Sequence, residues 1–232
     1  MDSYALINSL SWILMLLGII ITLAAQIFVS SSYNKYKKKK VASNITGFEA
    51  ARKILDNNGL KNIHIVETRG NLTDHYDPRN KVVRLSTDVF HGNSIASVAV
   101  AAHECGHAIQ DKEGYTFLRI RSSIVPFVNI SSKIGYVAIF IGFICGSYDL
   151  ATIGIVLLLA MLAFQLVTLP VEFNASSRAK KQIESLALAE NKEQEGVSKM
   201  LTSAALTYVA ALVTTLLEIL RLALIIFGNN RD

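Results

Sequence analysis

Charged residues are in short supply in this chain. Asp, Glu, Lys and Arg make up 18% of its 232 residues, against about a quarter in ordinary soluble domains. Mean hydropathy is +0.38. Together these values argue against a typical water-soluble enzyme and for a membrane protein. Cysteine is nearly absent. Cys105 and Cys145 are the only two, and Cys145 lies in an apolar run, which argues against a disulfide framework. The three prolines are too few to forbid long helices. No internal repeat is visible, and the one low-complexity stretch is a short lysine run.

Long apolar runs are plentiful. Residues 4–29 carry no charge and are long enough to cross the ~30 Å hydrocarbon core of a bilayer. Positive charges follow this run rather than precede it, and no small-residue cleavage site stands before them. It therefore reads as an anchor and not as a signal peptide. Lys35, Lys37, Lys38, Lys39 and Lys40 come next, a basic stop suited to anionic lipid. Residues 124–145 and 150–169 flank the turn Gly146-Ser147-Tyr148-Asp149 and predict a tight helical hairpin whose second arm ends at Pro170. Residues 200–227 form a fourth run, interrupted by Glu218 and Arg221. Those two stand three apart on one helical face and can neutralise each other.

The basic residues set the orientation. Twenty of the 23 Lys and Arg lie in three polar segments that four spans place on one side, and Lys133, Arg221 and Arg231 are the remainder. By the positive-inside rule those segments face the cytoplasm and both termini face out. The net charge of +5 is then a matter of topology in the plasma membrane, and no nucleic-acid partner is needed.

Residues 43–121 are the one sizeable polar section. Thr46 to Glu49 has the form of a capping box opening a helix that stops at Asn57-Asn58-Gly59. Residues 63–66 alternate as a strand, 70–80 read as a turn-rich loop, and 81–86 read as a second strand. Val82, Val83, Arg84 and Leu85 on that strand are the candidate edge on which an extended peptide could pair. The plainer alternative is that they form half-buried core.

The helix read over 94–110 carries His103-Glu104-Cys105-Gly106-His107, an H-E-x-x-H match. At about 100° per residue the two imidazoles fall on one face a turn apart, so both can reach one metal. Glu104 stands beside that face, where a carboxylate can act as a base on a nearby water without being a ligand. Cys105 points away and reads as a small packing residue. A catalytic zinc usually has three protein ligands and an open position. His64, His75, His91 and the acidic residues are the candidates for the third. Glu172 is the best placed, because the hairpin carries the chain out and returns it to the side where His103 and His107 lie. Its other reading is a carboxylate capping the helix after Pro170.

The motif H-E-x-G-H-A-x-Q, followed by two spans and then Leu169-Pro170-Val171-Glu172-Phe173-Asn174-Ala175-Ser176-Ser177-Arg178-Ala179, resembles the neutral zinc metallopeptidases of bacterial membranes, the YugP-like group. The plan is also similar to that of the HtpX-type and CAAX prenyl proteases. The resemblance spans nearly the whole chain. It implies that Glu172 joins His103 and His107 in holding one Zn²⁺ per chain, with Glu104 as general base. Those relatives carry an aspartate four residues after the glutamate, where this chain has Ser176. Another group must then orient a ligand histidine, and Asn174 and Ser176 are the candidates. Arg178, Asn174, His75 and Tyr76 are candidates for stabilising the oxyanion.

The resulting expectation is a mainly α membrane protein with four transmembrane helices and a small α/β, zincin-like cytoplasmic catalytic part of gluzincin type. The boundaries are a first transmembrane helix at 1–32, a catalytic section at 33–123, a transmembrane hairpin at 124–170, a helical section carrying the third ligand at 171–200, and a fourth transmembrane helix with a short tail at 201–232. The expected chemistry is peptide-bond hydrolysis on a peptide or membrane-protein substrate, just outside the bilayer. An intramembrane protease is the rival of like chemistry. It is disfavoured because the motif helix is too short and too polar at its ends to span. A catalytically silent, zinc-containing membrane scaffold or quality-control partner is the rival of another class. It has no need of Glu104. Substrate sequence and oligomeric state are not legible.

Overall fold

The structure is a computed structural model that describes residues 3–228. Arg231 and the expected outward placement of both termini lie outside the described residues. The chain is mainly helical, with a small mixed sheet and four helices long and apolar enough to cross a membrane. In order, the elements are α1 (Ser3–Lys37), α2 (Gly47–Asn57), β1 (His64–Thr68), β2 (His75–Asp77), β3 (Val82–Ser86), α3 (Thr87–His91), α4 (Ile95–Lys112), α5 (Thr116–Cys145), α6 (Tyr148–Ser185) and α7 (Asn191–Gly228).

All four long helices run past their apolar stretches. α5 starts well before residue 124 and α7 well before residue 200, while α6 passes straight through Pro170 to Ser185. The expected stop at Pro170 is therefore corrected. Proline removes one backbone hydrogen bond, whereas ending the helix there would leave four carbonyls to be satisfied in an apolar setting. The chain divides into two compact units, and α1, α5, α6 and α7 each contribute to both.

One unit takes the described residues up to Gln26, then Ile120–Leu169, and those from Thr207 onward. It presents large apolar side chains outward, among them Ile20, Phe140 and Leu216, as lipid contact requires. α5 reverses into α6 at Gly146, whose φ of +64° suits glycine. The Ser147 amide donates back to the Gly142 carbonyl at 2.8 Å, closing a Schellman turn. The two arms pack through small residues. A Cβ on Gly154 would stand 2.6 Å from the Gly135 carbonyl oxygen, so glycine there allows the backbones to meet. Arg221 is paired with Glu218 through two bonds of 2.8 and 2.6 Å, as their spacing predicts.

The other unit takes Ile27–Arg119 and Pro170–Leu206. The Thr46 capping box is present in full, with the Thr46 side chain accepting from the Glu49 amide and Glu49 reaching back to the Thr46 amide. α2 packs its buried Ala50, Ala51, Ile54 and Leu55 against α4. α4 is capped by Ser94, whose hydroxyl accepts from the Ser97 amide at 3.1 Å. It closes with the Tyr115 amide donating to the Gln110 carbonyl at 2.9 Å. The sheet order is β1-β3-β2, with β1 parallel and β2 antiparallel to β3. β2 lies inside the stretch read as a loop. Three residues are too few to show a period of two, and β2 is defined by its pairing with β3. This order also overturns one expectation. Val82, Val83, Arg84 and Leu85 belong to the central strand; the first three have neighbours on both sides, and Leu85 pairs with β1. β3 is therefore not an edge strand.

Candidate metal centre

The site is built from one face of α4 and one turn of α6, both within the second unit. Small residues bring these helices together. A Cβ on Gly106 would lie 2.6 Å from the Ala175 carbonyl oxygen, so any larger residue would push the backbones apart. Gly106 falls between the two histidines, and Ala175 falls just after the glutamate. The close approach is therefore centred on the chemistry.

His103, His107 and Glu172 converge. Glu172 Oε2 lies 3.2 Å from His103 Nε2 and 3.6 Å from His107 Nε2. The imidazole rings stand edge to face with centroids 4.8 Å apart. Glu172 is 1% exposed and His107 is 8% exposed, so three potential ligands share a nearly dry pocket. Among the described residues this is the set of His, Cys, Asp and Glu that could hold a metal ion. The spacing suits one. Tetrahedral bonds of ~2.0–2.1 Å set donor atoms about 3.3 Å apart, close to the two separations found. Each imidazole also has an oxygen partner at its far nitrogen. His103 Nδ1 lies 3.2 Å from Ser176 Oγ, and His107 Nδ1 lies 3.0 Å from Gln110 Oε1. Both Nε2 atoms are thereby directed at the shared spot, as ligand histidines generally are.

Glu104 is buried beside this set, with the Tyr76 backbone close enough to favour its ionised form. Burial pushes its carboxyl up to about 7, the Glu172 and Asp74 charges add to the rise, and His103 opposes it. Asp74 accepts from the Ser86 amide at 2.7 Å, and burial raises its carboxyl too. Cys105 is wholly buried, with its Sγ 3.6 Å from the Ala51 carbonyl oxygen. Its thiol is pushed far above the usual range by burial, which suits packing and not nucleophilic chemistry.

The other sequence candidates fall elsewhere. His64 sits on β1, and His91 faces Glu67 at 3.2 Å. The Tyr76 hydroxyl donates to Asp111 at 2.7 Å, and burial raises its phenol. His75 is exposed and held by the Thr73 carbonyl at 2.8 Å. By strand alternation it faces opposite to Tyr76. Arg178 is bound to Asn174 Oδ1 and to Glu113, each at 2.7 Å. As placed, the Tyr76 phenol is engaged by Asp111, the His75 ring by the Thr73 carbonyl, and the Arg178 guanidinium by Asn174 and Glu113. Asn174 contacts neither imidazole in the bonds found. It meets the amide of Gln110 at 2.9 Å.

Two residues of the site were not assigned a role in the sequence reading. Gln110 could have been found by its spacing, since i and i+3 are neighbours on a helix and His107 is three residues before it. Asp74 carries no such signal, because only the sheet brings residues 70–80 to α4.

A family model described as "Putative neutral zinc metallopeptidase" matches residues 11–227. A curated relative from Bacillus subtilis (strain 168), "Putative membrane protease YugP", is 50% identical over 208 residues, which is 90% of this chain and 92% of the relative. No solved structure matches the chain.

Proposed function

The chain belongs to the neutral zinc metallopeptidase family, and from that premise we propose that it is a membrane-embedded zinc endopeptidase with a gluzincin-type site. The observation that carries this reading is the convergence of His103 Nε2, His107 Nε2 and Glu172 Oε2, with the buried Glu104 beside them. These three atoms would hold one Zn²⁺ per chain and leave a position open. When bound, zinc supplies Lewis acidity, which acidifies water and polarises a carbonyl. Glu104 takes the proton from the attacking water and delivers it to the leaving amine nitrogen. Burial raises its carboxyl in the metal-free site, and the charge of a bound zinc would favour the ionised form that takes up a proton. Ser176 Oγ, 3.2 Å from His103 Nδ1, holds that ring turned to the metal.

An extended substrate would lie along β2 and not β3. β2 is an edge strand, and its Tyr76 backbone already reaches the carboxyl of Glu104. A chain pairing there has its peptide bonds drawn beside the proposed base. A peptide or a membrane-protein segment satisfies that geometry.

The test of the metal reading is zinc content together with cleavage. Full-length protein purified in detergent should carry one zinc per chain and cut an unstructured probe such as casein. A strong chelator should abolish both, and added zinc should restore both. Zinc-loaded protein that leaves casein and membrane-protein probes intact favours the silent scaffold.

We place the site on the cytoplasmic side, on the strength of the basic-residue distribution. Two native cysteines report on this. Cys145 is exposed at the end of α5, and Cys105 is buried. A membrane-impermeant maleimide should label Cys145 on intact cells. Labelling only after the membrane is opened reverses the orientation.

A further inference from the structure

Gln110 closes the motif, yet no step of the proposed hydrolysis uses it. It is fully buried. Its Nε2 donates to the Val171 carbonyl at 2.8 Å and to Asn174 Oδ1 at 2.9 Å, while its Oε1 faces His107 Nδ1 at 3.0 Å. The direction of each of these bonds follows from groups that have only one role. The Nε–H of Arg178 can only donate. The Asn174 atom that meets it at 2.7 Å is therefore the amide oxygen. The guanidinium is itself held by Glu113 at 2.7 Å, so the starting point of the series is anchored.

The same Asn174 oxygen also faces the Gln110 amide. Gln110 must present its NH₂ there, and the Val171 carbonyl, an acceptor only, requires the same. With both N–H bonds committed, Gln110 offers an oxygen to His107, and that oxygen can only accept. A hydrogen of His107 then sits on Nδ1, and in the neutral ring that binds a metal the lone pair sits on Nε2, the atom aimed at Glu172. Ser176 gives His103 no comparable constraint, because a hydroxyl both donates and accepts.

We propose that Gln110 is a positioning residue for the metal centre, and that the series Glu113–Arg178–Asn174–Gln110 locks His107 in the tautomer that turns its Nε2 lone pair to zinc. The last step rests on the metal reading given above. Gln110 also ties α4 to the turn of α6 next to Glu172, since Val171 is its other acceptor. One side chain thus sets both the ring orientation of His107 and the spacing of the ligands.

Four variants of the full-length protein test this by competition for zinc against a chromophoric chelator. Gln110→Glu keeps the shape but turns an oxygen toward the Val171 carbonyl and Asn174 Oδ1. Gln110→Met removes every polar group. Gln110→Met is expected to weaken zinc binding ~10–100-fold, the usual cost of losing a partner of a ligand histidine; Gln110→Glu keeps an oxygen at His107 and is expected to weaken it through the two buried acceptors, the Val171 carbonyl and Asn174 Oδ1, that then face an acceptor. Asn174→Asp retains an accepting oxygen for both Arg178 and Gln110, and its affinity should stay within about threefold of wild type. Asn174→Leu should fall alongside the Gln110 variants.

Melting of the metal-free forms controls for folding. Nitrogen NMR of histidine-labelled, zinc-loaded protein supplies a readout that general destabilisation does not mimic. The Nδ1 proton of His107 should exchange slowly in wild type and in Asn174→Asp, and rapidly in Gln110→Met. The proposal is overturned if both Gln110 variants hold zinc within about threefold of wild type, or if Asn174→Asp falls as far as Asn174→Leu. Cleavage plays no part in these measurements. A wild type that binds zinc but cuts nothing defeats the peptidase reading alone, and one that takes up no zinc defeats both.

Discussion

Glu104→Gln is expected to lower peptide cleavage by about 10²–10⁴-fold, the usual contribution of a positioned acid–base group, with zinc content unchanged. The amide has nearly the same shape, and its oxygen can still face the Tyr76 backbone. It cannot take a proton from water. Nor should the substitution unfold the protein. Glu104 is a buried carboxyl whose ionisation is opposed first by burial and then by Glu172 and Asp74, so a neutral side chain removes an unfavourable charge. The measurement is a turnover rate on zinc-loaded wild type and variant at equal metal content. A variant that keeps cleavage within about tenfold of wild type removes Glu104 as the base, since that is less than the smallest effect expected of such a group.

The second large effect is expected at Glu172, and it should show in metal binding before turnover. Apparent binding energies of ~10–16 kcal/mol for structural zinc, shared among four ligands, make each worth about 3 kcal/mol, or roughly two orders of magnitude in affinity. Glu172→Ala and Glu172→Gln should both lose zinc to a chelator that wild type resists. Gln is the cleaner variant, because it fills the same space next to two imidazoles and leaves no cavity where a residue only 1% exposed stood. Glu104→Gln keeps metal and loses rate, whereas Glu172→Gln loses metal and therefore rate. Equal zinc affinity in wild type and in both Glu172 variants takes this carboxylate out of the ligand set.

The motif on α4 was legible because its meaning is local. His103 and His107 share a face by helical period alone, and the Ser94 cap and the closing turn after Gln110 are short-range features. The four apolar helices were legible for a similar reason, since hydropathy over about twenty residues is enough to mark a span. Their ends were not. Polar turns at the start of α5 and α7, and the stretch of α6 beyond Pro170, are helical because they pack in the second unit, and composition does not report packing. Glu172 was an intermediate case. The topology of the hairpin returned it to the correct side, but nothing local separated a ligand from a helix cap.

Only the tertiary structure decided which strand borders the site. Val82, Val83, Arg84 and Leu85 read as a strand, yet their place in the middle of the sheet depends on β1 and β2, which lie elsewhere in the sequence. β2 itself has no pattern of its own and exists through pairing. The partners of the two histidines were decided in the same way. Gln110 shares their helix, but the acceptors that fix its amide, Val171 and Asn174, arrive from a helix 61 and 64 residues further on. The sequence was sufficient wherever the controlling interaction spans a few residues: helix period, capping and the hydropathy of a span. It was insufficient wherever a hydrogen bond or a close backbone approach, such as Gly106 against Ala175, joins segments that meet only after the chain has folded.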